Sequence, residues 1–215
     1  MKTVASAQTI SAATRPELLN ADGHVCGFFH SEDEQYSVLM PFIKEGLDNG
    51  ERAWHVIDPA RRDEHVRRLG EAGIDVGAAE ARGQFVLLDW SQTYLQGGGF
   101  NQDRTMAAFA KARNAGRQEG FPRTRFLCDM EWGLTGTYEQ VAEYEATSNF
   151  VPLDGDVAIC AYKLNRWSAN VMMAGLRTHP LVIIGGLLHE NPFYQQPGEV
   201  LMDLKAGRVS GSACC

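Results

Sequence analysis

The chain has 215 residues, 44% of them hydrophobic and 22% charged, with a formal net charge of -7. That length supports one sizeable core and favours one domain over two. An acidic chain without a Lys/Arg-rich block has no electrostatic basis for holding nucleic acid or an anionic membrane, and its longest apolar run, Leu181 to Leu188, is too short to span a bilayer.

Residues 1–21 read as a flexible leader, with one turn of helix near Pro16. They lack the apolar stretch of a secretory signal, so a cytoplasmic location is expected. A single domain is expected over 22–207, followed by a flexible tail over 208–215. Within the domain, short apolar runs rich in β-branched and aromatic residues alternate with longer polar-periodic stretches. The runs predict strands at Val25–His30, Arg52–Asp58, Gln84–Asp89, Thr124–Met130, Val157–Lys163 and Leu181–Leu188. The stretches between them predict helices at Glu32–Asp48, Pro59–Ala72, Asp103–Glu119, Thr137–Phe150 and Ser168–Arg177. This alternation specifies an α/β fold, a mostly parallel sheet covered on both faces.

Helix ends are signalled locally. Ser31 with Glu34, and Thr137 with Gln140, have the spacing of capping boxes. Asp58-Pro59 places an N-cap before a proline at the first helical position. Val38, Leu39, Phe42, Ile43 and Gly46 form one core-facing stripe, and Pro41 within that helix predicts a kink. Gly97-Gly98-Gly99 marks a loop. The five cysteines do not form a disulfide framework. Cys26, Cys128 and Cys160 sit in apolar runs as small buried hydrophobes, and Cys214 and Cys215 carry no assigned role.

The loop after the first strand is where a phosphate-binding loop would lie. It reads His30-Ser31-Glu32-Asp33-Glu34, with no glycine, no lysine and three carboxylates, which suit a helix N-terminus and repel a triphosphate. No GxGxxG follows any strand, so a dinucleotide site is unsupported. Phe126 to Glu131 is similar to the acidic strand end that holds magnesium in P-loop enzymes, but it has no phosphate loop to serve.

The run His24-Val25-Cys26-Gly27-Phe28-Phe29-His30 is followed by Pro41-Phe42-Ile43, by Gly46-Leu47 and by Gly50-Glu51-Arg52. Further on come Gly83 through Asp89, Thr93-Tyr94-Leu95, Gly120-Phe121-Pro122, Asp129-Met130-Glu131-Trp132, Tyr144-Glu145 and Thr178-His179-Pro180. In this order and spacing they resemble the MEDS domain, the sensory domain named for methanogens, methylotrophs and the dichloromethane regulator DcmR, over roughly residues 22–200. The resemblance implies a three-layer RecA/KaiC-like sandwich that has lost its phosphate loop, with six strands in the order 3-2-4-5-1-6. It also implies sensing of a small molecule, a hydrocarbon derivative in kind, within signal transduction or transcriptional regulation. No helix-turn-helix or kinase module accompanies the domain, so the signal is expected to pass to a partner protein without direct nucleic-acid contact, and a homodimer is allowed.

In open α/β sheets ligands bind outside the carboxyl ends of the strands. That places the expected small organic ligand beside His30, Trp90, Asp129, Glu131, Trp132 and Tyr162. Glu145, four residues after Val141, joins them from its helix. No cofactor and no metal are expected. His24 and Cys26 alternate on one strand face and suit zinc or copper, but a structural site wants two such pairs. His179 reads as a turn residue, and His189 stands near a turn-rich segment. Two other readings remain. One is an enzyme using the Asp129/Glu131 carboxylates; the other is a structural interaction protein with a vestigial ATPase fold.

Overall fold

The computed structural model describes residues 23–207. The expected leader and the tail from residue 208 onward lie outside the described residues. Chain order begins β1 (His24–Phe29), α1 (Glu32–Asp48), β2 (Arg52–Ile57), a 3₁₀ turn (Pro59–Arg61), α2 (Arg62–Glu71), α3 (Val76–Ala81), β3 (Phe85–Asp89). It continues α4 (Gln102–Gln118), β4 (Thr124–Asp129), a 3₁₀ turn (Met130–Thr135), α5 (Tyr138–Ser148), β5 (Val157–Lys163), α6 (Ala169–Thr178), β6 (Leu181–Ile184), β7 (Leu187–Glu190), α7 (Pro197–Lys205). The sheet order is β3-β2-β4-β5-β1-β6-β7. All pairs are parallel except β6 with β7. The six-strand order expected from the resemblance is present, with a seventh strand added at the edge.

That seventh strand corrects the single run expected over Leu181–Leu188. Gly185 and Gly186 both take positive φ, 59° and 76°. Two consecutive left-handed residues reverse the chain with the twist a two-residue hairpin needs, so the run folds back on itself. The helix expected over Pro59–Ala72 is also divided, because Asp58 caps a 3₁₀ turn by accepting from the Ala60 N–H and α2 starts only at Arg62. Of the two expected capping boxes, Thr137/Gln140 forms completely. At α1 the Ser31 hydroxyl accepts the Glu34 N–H, but the Glu34 carboxylate reaches one residue further back, to the His30 N–H at 2.6 Å. Helix α1 runs unbroken through Pro41.

The two sheet faces carry separate cores. On one face Val25, Ile159 and Ile183 pack against Leu39, Phe42 and Ile43 of α1 and Leu69 of α2. On the other, Cys26, Phe28, Cys128, Cys160 and Tyr162 pack against Tyr144 of α5 and Val171 of α6, with Phe109 of α4 beside them. Cys26, Cys160 and Cys128 are register partners across β1, β5 and β4, so they form a row of free, buried thiols. Among the described residues no helix is long and apolar enough to cross a membrane.

Candidate functional site

The carboxyl ends of the strands, where the ligand was expected, are filled by ion pairs and ring stacking. Arg61 bridges Glu32 at 2.8 Å and Asp129 at 3.6 Å. Lys163 bridges Glu131 at 3.3 Å and Glu32 at 3.5 Å, and Arg166 approaches Glu131 at 3.9 Å. Burial pushes the Asp129 carboxyl up to about 6, against the pull of Lys163, the Glu131 N–H and Arg61. At the position where a phosphate-binding enzyme presents glycines and a lysine, the α1 N-terminus thus holds its own carboxylates, neutralised by side chains from the neighbouring turn and strand.

The aromatic residues expected to wall a pocket here are packed away. Trp132 is fully buried. It stacks on Tyr94 at 4.7 Å and Phe100 at 4.4 Å, with Tyr144 edge-on at 5.9 Å. Half-buried Trp90 donates its Nε1–H to the Asp129 carbonyl at 3.1 Å, while His30 is exposed. Tyr162 is buried and turns away from this edge, donating its hydroxyl to Glu145 Oε1 at 2.5 Å.

Open space is found at the amino-terminal half of the strands. A cavity of about 470 Å³ lies between α4, α5 and the sheet, closed below by the 151–156 loop. Its walls are Met106, Phe109 and Ala110 of α4, Phe126 of β4, Tyr144 of α5, and Val151 and Leu153 of the loop. None of the seven residues expected to contact ligand lines it. The polar groups at its rim are already paired. Arg113 donates to Asp156 Oδ2 at 3.2 Å and to the Pro152 carbonyl at 2.5 Å, and Asp156 Oδ1 accepts the Thr124 N–H at 2.7 Å. Ser148 donates to the Tyr144 carbonyl at 2.9 Å.

The cavity floor includes His24 and Cys160, and directly behind them stand Glu145 and His179. One donor atom from each of the four falls within 4.8 Å of the others, and all four residues are buried. Glu145 Oε2 lies 3.3 Å from His24 Nε2, 3.4 Å from His179 Nε2 and 3.7 Å from Cys160 Sγ. His24 Nε2 is 3.7 Å from Cys160 Sγ, and the two imidazoles stack at 4.0 Å. Burial opposes ionisation of Glu145, and only positive charge among its neighbours, on the His179 and His24 rings, together with the Tyr162 hydroxyl, pulls against it. Burial drives His179 the other way, to about 3, so its ring is neutral. Burial, reinforced by Glu145, raises the Cys160 and Cys26 thiols.

The neighbours fix both ring orientations. Asn149 gives its two amide hydrogens to the carbonyls of Glu145 and Thr178, at 3.0 and 2.6 Å, so its oxygen accepts from His24 Nδ1 at 3.0 Å. His179 Nδ1 lies 2.8 Å from the Gly175 carbonyl, which can only accept. Both rings therefore carry hydrogen on Nδ1 and direct Nε2 toward Glu145.

Of the residues picked from sequence, the structure brings Glu145, Tyr162 and His24 together, and it leaves His30, Trp90, Asp129, Glu131 and Trp132 at the opposite end of the sheet. The pair His24/Cys26 gives way to His24/Cys160, since Cys26 is the register partner of Cys160 but lies outside the converging group. Cys160 and His179 were passed over as a packed thiol and a turn residue. A second buried chain also went unread: the Tyr36 hydroxyl bonds His65 Nδ1 at 2.8 Å, and His65 Nε2 bonds His55 Nδ1 at 2.9 Å.

The pattern of the MEDS family, the MEthanogen/methylotroph, DcmR Sensory domain, matches residues 23–180. The chain belongs to the MEDS family. Its sensory role follows from that membership, and the cavity, the floor cluster and the ion-paired strand ends all lie within the matched span. Among solved structures, this MEDS chain is similar to a KaiC-like protein of the hyperthermophilic archaeon Pyrococcus horikoshii. The TM-score is 0.55 at 16% identity, covering 75% of this chain and 70% of the other. At that identity the likeness concerns the fold, a RecA/KaiC-like sandwich. No curated protein matches the MEDS chain.

Proposed function

We propose that the chain senses a small, largely apolar organic molecule that enters the cavity between α4 and α5 and rests on the His24/Cys160 floor. The observation that carries this reading is the cavity itself. It has the size of a small-molecule site, a lining that mixes apolar side chains with polar groups paired within the protein, and one chemically distinct patch at the bottom. An occupant gains apolar contact from Phe109, Phe126 and Met106 and orients any polar group toward the floor. Filling the space between two helices is also a means of changing their spacing, which is the surface a signalling partner would read.

On this reading the domain neither hydrolyses ATP nor binds it tightly. The carboxylates of the α1 N-terminus repel phosphate, and Lys163 is committed to Glu32 and Glu131. The output passes to a partner protein, with no direct nucleic-acid contact.

The test is a thermal-shift screen with short-chain and monocyclic organic compounds on the wild type and on Ala110→Trp, which places an indole in the cavity wall. A hit at a hundredfold excess over its Kd stabilises by about 2.7 kcal/mol, a rise of about 5–10 °C for a domain of this size. Ala110→Trp should fold and lose the shift. Hits that stabilise both proteins equally would place binding outside the cavity.

A further inference from the structure

We propose that His24, Glu145, Cys160 and His179 form a binding site for one divalent transition-metal ion, zinc by the chemistry of the donors. The proposal stands apart from the sensory reading: a metal could be present whether or not the cavity takes an organic ligand.

The separations around Glu145 and between His24 and Cys160 are close to those of a tetrahedron. Zinc bonds nitrogen and oxygen at about 2.0–2.1 Å and thiolate sulfur at about 2.3 Å. Tetrahedral geometry then puts N and O donors about 3.3–3.4 Å apart, and either of them about 3.5–3.6 Å from sulfur. The observed N–O separations are 3.3 and 3.4 Å, and those to sulfur are 3.7 Å. Four of the six donor separations thus lie within a few tenths of an ångström of a tetrahedral site, and the remaining two, from His179 to His24 and to Cys160, are no more than 4.8 Å.

The polarity of the donors points the same way. His179 Nε2 is fully buried and has no hydrogen-bond partner. Its ring hydrogen is committed on Nδ1 to Gly175, so Nε2 turns a lone pair toward a carboxylate oxygen. His24 likewise gives its Nδ1 hydrogen to Asn149, and its Nε2 faces Glu145 Oε2 and Cys160 Sγ. Two lone pairs converging on an anionic oxygen repel one another, and a cation between them turns that repulsion into three bonds. Nδ1–H donation to a carbonyl or amide oxygen, with Nε2 left for the metal, is also how ligating histidines are held.

Charge and protons balance. On binding, the ion displaces the Cys160 Sγ–H proton, which leaves to solvent, and accepts the sulfur lone pair as a thiolate bond. Two neutral imidazoles, one carboxylate and one thiolate around a doubly charged ion carry no net charge, which suits a buried site. The thiolate favours zinc over magnesium or calcium. His24 and Cys160 line the cavity floor, so the ion has an entry path.

The test uses the full chain with C214S and C215S, which removes the two terminal thiols that bind cobalt nonspecifically. After treatment with a chelator it is titrated with Co²⁺ and then Zn²⁺. The expected result is one cobalt per chain, a near-ultraviolet sulfur-to-cobalt band, the intense visible bands of a tetrahedral ion, and full displacement by one zinc. Cys160→Ser should lose the sulfur-to-cobalt band, Cys26→Ser should keep it, and Asn149→Ala should weaken zinc about 10- to 100-fold by freeing His24. If Cys160→Ser does not fold, X-ray absorption of the zinc-loaded protein decides, and one sulfur among nitrogen and oxygen neighbours is expected. Failure to bind cobalt or zinc at micromolar concentration overturns the proposal. So does a sulfur band indifferent to Cys160→Ser, or a zinc shell with no sulfur.

Discussion

Replacing Trp132 with alanine separates a packing role from a binding role for the aromatic cluster. Trp132 has no exposed surface and stacks between Tyr94 and Phe100, with Tyr144 at its edge. A buried indole removes about 150–250 Å² from water, and at about 25 cal/mol per Å² that is about 4–6 kcal/mol. The variant loses this transfer term and leaves a cavity that rigid neighbouring rings fill poorly. For a domain of this size the expected loss lowers Tm by about 8–20 °C, measured by circular dichroism. Trp132→Phe should recover much of it, because it keeps a ring between Tyr94 and Phe100. Half-buried Trp90→Ala should cost far less. A Trp132→Ala variant that melts within about 3 °C of wild type would refute the packing argument and return Trp132 to the role of a ligand contact.

Acid should destabilise the protein below pH 6.5. Burial lowers His65 to about 4 and His55 well below its ordinary value. Both are neutral when folded and take up protons on unfolding, so their contribution is whole above pH 6.5 and is lost as pH falls toward 4. Asp129, raised to about 6, acts in the opposite sense and offsets part of this. Stability in urea titrations should therefore fall between pH 6.5 and 4.5, and a flat or rising profile would contradict the burial argument. Calorimetry with ATP and magnesium should give no heat of binding and no phosphate release; micromolar binding with turnover abolished by Asp129→Asn would overturn the reading of the α1 N-terminus.

The sheet was legible in the sequence because each of its parallel strands is an apolar run with turn residues at both ends; Val157–Lys163 matches β5 to the residue. The hairpin was not, because Gly185-Gly186 sits inside one apolar run and only the φ values show the reversal. Helices α3 and α7 were missed because they are short, and α3, Val-Gly-Ala-Ala-Glu-Ala, has too little contrast to set a period. The floor cluster fails differently. Glu145 and Cys160 are more than a hundred residues from His24, and His179 is further still. They meet because β1 is threaded between β5 and β6, which puts the β5 thiol beside His24 and brings the turn before β6 next to both. The strand order expected from the family resemblance contained that neighbourhood. The rule placing ligands at the carboxyl ends of strands pointed to the opposite end, which in this chain is closed by Arg61 and Lys163.

The most direct test of the cavity as the sensing site is methyl NMR on protein labelled at the methionine methyl groups. Met106 stands in the cavity wall, Met130 is buried at the carboxyl end of β4, and Met202 is 64% exposed on α7. These three report the cavity, the strand-end edge and a distant surface. Titrating in the organic compounds that raise Tm should shift the Met106 signal in a saturable way and leave Met202 unmoved, with Met130 responding less than Met106. Saturable shifts confined to Met130 would place the ligand at the carboxyl edge of the sheet, and compounds that stabilise the protein without moving Met106 would contradict the cavity as its binding site.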